Sequence, residues 1–144
     1  MVRVAFICFF LLITGCASGG HSDPRPIPAA WTGEIAAVGE HGHSGFSTVT
    51  VMPDGGTVVN LTLQGGSAGG RHPWQIREGR CGEDTAAIGR PDAYPPLEPD
   101  EQGNASGTAS LTEVLDPDTD YRVDIHQSID DETVVGCGEL ILAN

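Results

Sequence analysis

Lysine is missing from this chain of 144 residues. Its 7 basic side chains are all arginine and face 20 acidic ones, for a formal net charge of -13. A surface of that sign repels nucleic acid and anionic lipid headgroups, so no nucleic-acid partner is expected. Long apolar runs are missing too. The stretch 4–13 is far shorter than the roughly 20 residues a membrane-crossing helix needs. There is no Gly-rich phosphate loop, no Gly-x-Ser-x-Gly elbow and no Cys-x-x-Cys pair. Nucleotide binding, serine hydrolysis and dithiol redox chemistry are therefore left without their local signals. Beyond the first stretch no apolar period of helical spacing appears, so helices are not expected.

What is present starts with an address. Arg3 supplies a positive start, an apolar run follows, and Ile13-Thr14-Gly15-Cys16 closes it with small residues before a cysteine. This resembles a bacterial lipobox, which implies cleavage before Cys16 and acylation of its thiol. The other reading is an ordinary secretory signal cut near Ala17 or Ser18. Ala17, rather than aspartate, follows the cysteine, so nothing argues for retention at an inner membrane. The expected division is a lipoprotein signal peptide over 1–15, a Gly/Ser/Pro-rich tether over 16–30 and one domain over 31–144. A membrane, reached through the lipid, is then the expected partner. The cell envelope, outside the cytoplasm, is the expected location.

The domain is expected to be all β. Apolar and polar residues alternate over 31–38, 46–52, 57–63, 71–81, 105–111, 121–126 and 134–142, with Gly, Pro and Asp clusters between them. Pro53-Asp54-Gly55-Gly56 is a hairpin signal. Short strands at such spacing predict a β-sandwich or flattened barrel. The most informative run is Arg71-His72-Pro73-Trp74-Gln75-Ile76-Arg77-Glu78-Gly79-Arg80-Cys81. Its period of two puts Trp74 and Ile76 inward and Gln75 and Arg77 outward.

This run resembles the copper-ligand strand of the Cu/Zn superoxide dismutase family, particularly its bacterial lipoprotein members, where a His-x-His pair precedes a disulfide cysteine. The resemblance covers most of 31–142. It includes Ala93-Tyr94-Pro95-Pro96-Leu97, the glycine- and serine-rich 100–111, and Tyr121-Arg122-Val123-Asp124-Ile125-His126, similar to the strand of the last copper ligand. Gly136-Cys137-Gly138-Glu139-Leu140 resembles the second disulfide half. The resemblance implies a Greek-key sandwich and a Cys81–Cys137 disulfide. Cysteine arithmetic agrees: Cys8 leaves with the signal and Cys16 carries lipid, so Cys81 and Cys137 remain in an exported chain.

The ligands themselves do not follow. The resemblance places Gln75, Arg77 and His126 at copper positions. An amide and a permanently protonated guanidinium stand where imidazoles would bind copper. No histidine occurs over 82–99, where the family has its bridging and zinc ligands, and Val134 stands where it keeps an arginine. The expected reading is therefore a non-catalytic domain without a cofactor, structural or binding an unknown protein or small molecule. The alternative is a dismutase or copper-binding lipoprotein that uses His126 with His41, His43 and His72. In place of metal, Arg77 is expected to pair with Asp124 or Glu78 and to hydrogen-bond Gln75 or His126, as a polar lock on the outer surface.

Overall fold

The computed structural model describes residues 28–41 and 43–143, without the side chain of His41. The signal peptide and most of the tether, with Cys16, lie outside them.

Alternation converts directly into strands. They are β1 (Ala30–Ala37), β2 (Ser44–Val51), β3 (Thr57–Gln64), β4 (Trp74–Glu78), β5 (Ala105–Leu111), β6 (Tyr121–His126) and β7 (Val134–Leu142). In β3, Thr57, Val59, Leu61 and Leu63 are buried while Asn60, Thr62 and Gln64 face solvent. The strands run antiparallel in the order β4-β6-β7-β1-β2-β3-β5. The sheet curls, and its inner faces enclose a core that includes Trp31, Ile35, Val49, Leu61, Trp74, Ile76, Leu97, Val123 and Ile125.

The β2–β3 hairpin forms where the sequence signals it. Gly55 and Gly56 take φ of +91° and +85°, which other L-residues resist. A Cβ on Gly56 would lie 2.7 Å from the Leu111 carbonyl oxygen, so this turn also packs against the end of β5. β4 is shorter than the run 71–81 suggests. Pro73 has no N–H to pair, and Gly79 leaves the strand with φ of +80°.

The long connection from β4 to β5 is built into the core. Leu97 exchanges two backbone hydrogen bonds of 2.9 Å with His72. The Trp74 indole donates to the Pro95 carbonyl at 2.8 Å and meets the Tyr94 ring edge-on at 5.1 Å. The Tyr94 hydroxyl donates to the Ile88 carbonyl at 2.6 Å. Burial, assisted by the charge of Glu113, pushes the Tyr94 phenol up from 10.0 to about 12. A raised folded-state pKa means that the ionised form is disfavoured in the fold. Stability from this group is thus complete below the unfolded value near 10 and is lost as pH rises through about 12. Urea midpoints are expected to fall across that window, and to fall less in Tyr94→Phe. Equal alkaline slopes for the two proteins would contradict the assignment.

Candidate polar site on β4 and β6

β4 and β6 pair with Gln75 opposite Asp124 and Arg77 opposite Arg122. The period of two sends Ile76, Val123 and Ile125 into the core and Gln75, Arg77, Arg122, Asp124 and His126 to the other face. That face is not open. Every residue of β6 is buried; the segment 79–85 lies against its outer face, with Glu83 and Thr85 bonded to Arg122, and the chain then returns along the free edge of β4. Ile88 N–H donates to the Ile76 carbonyl at 2.8 Å, and Arg77 bridges Ala87.

Beneath this cover Arg122 is 2% exposed and Asp124 is 4% exposed. Arg122 Nε donates to both Asp124 carboxylate oxygens at 3.1 and 3.0 Å. Its Nη1 donates to the Glu78 carbonyl at 2.6 Å and to Thr85 Oγ1 at 3.0 Å, and Nη2 to the Glu83 carbonyl at 2.6 Å. A buried guanidinium needs a carboxylate and several acceptors to offset its lost hydration. Here the strand supplies the carboxylate and segment 79–85 supplies most of the acceptors.

Arg77 is the second cation on the same carboxylate. Its Nε lies 3.5 Å from Asp124 Oδ2, with the side chain 23% exposed, and its Nη1 donates to the Thr85 carbonyl. The Gln75 carboxamide, turned with its oxygen toward Arg77, accepts from Nη2 at 2.6 Å and Nε at 3.2 Å. The same end of Gln75 lies 3.4 Å from His126 Nε2. His126 Nδ1–H donates to the Glu132 carbonyl at 2.7 Å, which fixes the ring. A cleft of about 520 Å³ opens beside the cluster, lined by Arg77, Arg122, Asp124, His126, Glu132 and the disulfide.

The expected partners Gln75, Arg77, Asp124 and His126 are therefore gathered in one place. Two parts of the expectation need correction. The lock is covered rather than superficial, because segment 79–85 closes over it. Its centre is Arg122 rather than Arg77, and Glu78 takes part through its backbone carbonyl, not its carboxylate. The spacing Arg122-x-Asp124 on one strand was the available signal, since it puts cation and anion on the same face.

The remaining histidines divide. His43 and His72 are both buried, with ring centroids 4.6 Å apart at 62°. His72 Nδ1–H donates to the His126 carbonyl at 3.2 Å, so His72 meets His126 through its backbone while the His126 ring lies with Gln75. Among the described residues no group of three or more His, Cys, Asp or Glu is placed to hold a metal. The donor chemistry of the β4–β6 face does not suit copper. Its carboxylate is taken by two guanidiniums, whose permanent positive charge repels a metal cation.

Cys81 and Cys137 are bonded, with Cα atoms 6.0 Å apart. The bond ties the start of the covering segment to β7, whose Cys137 stands opposite Asp124 in the β6–β7 register. Compared with protein families, curated proteins and solved structures, the chain matches none.

Proposed function

We propose that this chain is a lipid-anchored cell-envelope domain of the Cu/Zn superoxide dismutase type that has exchanged its metal centre for an arginine–carboxylate lock. It serves a structural or binding role rather than a catalytic one. The observation that carries this reading is Asp124 held between Arg122 and Arg77 on the strands where the resemblance puts copper. A guanidinium fills the cationic role there without a coordination position or a redox change.

The test is to equilibrate the purified protein with copper and zinc, then to measure retained metal and the decay of superoxide. Stoichiometric metal is not expected, nor decay faster than that of a buffer blank. Copper retained through His126, with catalysed decay, would overturn the proposal. The approach of His43 to His72 favours a second reading, a copper-carrying domain. Retained copper that is lost in His72→Ala, with no dismutation, would support that one instead.

Anchoring is tested separately. The lipobox-like Ile13-Thr14-Gly15-Cys16 predicts an acylated, membrane-associated protein, and Cys16→Ser should move it to the soluble fraction. A mature N-terminus of unmodified mass would rule out the anchor.

A further inference from the structure

The end of the sheet opposite the 53–56 hairpin collects four connections, 38–43, 65–73, 97–104 and 127–133. The register brings them together, since Ala37 lies opposite Gly136, Trp74 opposite Ile125, and Leu63 between Gly45 and Ala105. These connections carry Glu40, Glu98, Asp100, Glu101, Asp130 and Glu132 against one arginine, Arg71, which is itself paired with Glu98 at 3.1 Å. Beneath them lie two imidazoles. His43 is 3% exposed and His72 is 2% exposed, with ring centroids 4.6 Å apart. The His126 carbonyl can only accept, so the proton of the His72 ring is on Nδ1. Its Nε2 is then a lone pair, buried and with no hydrogen-bond partner among the described residues. Buried acceptors in that state are rare. Gly70 keeps the space beside it open, because a Cβ there would lie 3.0 Å from Nε2.

We infer that this end holds one monovalent copper ion, Cu(I), between His72 Nε2 and the His43 ring in two-coordinate geometry. The inference rests on the copper-carrying reading above and names its oxidation state and ligands. A metal-binding imidazole characteristically donates its other N–H to a carboxylate or a backbone carbonyl, which fixes the tautomer and aims the lone pair. His72 does this through the His126 carbonyl. Its backbone is pinned by two hydrogen bonds to Leu97, so the donor is preformed and little ordering cost falls on binding. Imidazole suits copper. Closed-shell Cu(I) is satisfied by two nitrogen donors in a line, whereas zinc and copper(II) take four or more. No third His, Cys, Asp or Glu is grouped with the pair among the described residues, which selects the monovalent ion. The acidic connections do not ligate. Their field draws a cation to this end and offsets the burial of its charge.

The experiment uses the full chain, solubilised in detergent with its disulfide intact and with Cys8→Ser and Cys16→Ser so that no thiol competes. Silver(I), the redox-inert analogue of Cu(I), is titrated calorimetrically in chloride-free buffer, and Cu(I) is supplied anaerobically as its acetonitrile complex. One ion per chain is expected for each, and zinc should not displace it. Nitrogen NMR of the labelled protein should show His72 Nε2 and one ring nitrogen of His43 moving as silver is added, while the His126 ring stays. His72→Gln and His43→Gln should each weaken binding at least about 100-fold, since loss of even a supporting partner costs up to about that much. Absence of a stoichiometric silver or Cu(I) complex overturns the inference. So does a complex that moves the His126 nitrogens or survives both substitutions. Where a variant fails to fold, the nitrogen spectra of the parent protein decide alone. Copper(II) retained through His72 without silver binding would leave the copper-carrying reading in place and overturn this one.

Discussion

Arg122→Ala is expected to lower the unfolding free energy by about 3–5 kcal/mol, the cost of leaving a buried ion pair half removed. The substitution leaves a carboxylate that is 4% exposed with only the longer 3.5 Å contact of Arg77. It also removes the donor to the carbonyls of Glu78 and Glu83, which the cover keeps from water. Arg77→Ala should cost only about 1 kcal/mol, because that side chain is 23% exposed and Arg122 continues to neutralise Asp124. The two losses should not add. Both arginines share one carboxylate, so the double variant measures their coupling. Urea unfolding of the four proteins decides the matter, and an Arg77→Ala variant less stable than Arg122→Ala would overturn the order of roles.

Removing the disulfide should have a comparable effect by a different route. Cys81 and Cys137 are 56 residues apart in sequence, and releasing a loop of that length restores about 4 kcal/mol of chain entropy to the unfolded state. The native state should respond as well. Segment 79–85 reaches Arg122 through the Glu83 carbonyl and the Thr85 hydroxyl, and the disulfide ties its start to β7. In a Cys81→Ser/Cys137→Ser variant, amide exchange is expected to quicken over 79–88 before it does in β1, β2 or β3. Unchanged urea midpoints after reduction, or exchange that quickens uniformly, would contradict this account.

The strands were legible because their signals are local. β5, β6 and β7 occupy the expected residues, since glycine, proline and aspartate interrupt the alternation at their ends. β4 is shorter than expected, because an alternating polar pattern continues past the point where Gly79 turns the chain. The site was legible in part. Period-two arithmetic put Gln75 with Arg77 and Asp124 with His126 on one face of their strands, the resemblance brought the two faces together, and cysteine counting paired Cys81 with Cys137. None of the three could place the cover. The contacts of Arg122 with Glu78, Glu83 and Thr85 join residues 37 to 44 apart in sequence, two of them through backbone carbonyls that every residue possesses. A covering loop leaves no periodic trace, so the sequence put Arg122 on this face without showing that it is the most enclosed charge in the cluster. The approach of His43 to His72 was named in the sequence only as an alternative, because two chain ends far apart in sequence converge there.

The covering segment has a consequence for how copies of this domain behave when crowded together. An open antiparallel sheet has two end strands, each a template for another chain. At β4 the free rim is partly taken, since Ile88 donates to Ile76 and Ala87 bridges Arg77. The segment 79–93 thus acts as a short, irregular extra strand. β5 ends the sheet on the other side. Fibril-like growth by edge pairing needs both rims of every copy, each accepting the next. With one rim blunted, pairing along β5 stops at two molecules. Because Cys81 lies within this rim guard, the disulfide protects against polymerisation as well as against unfolding.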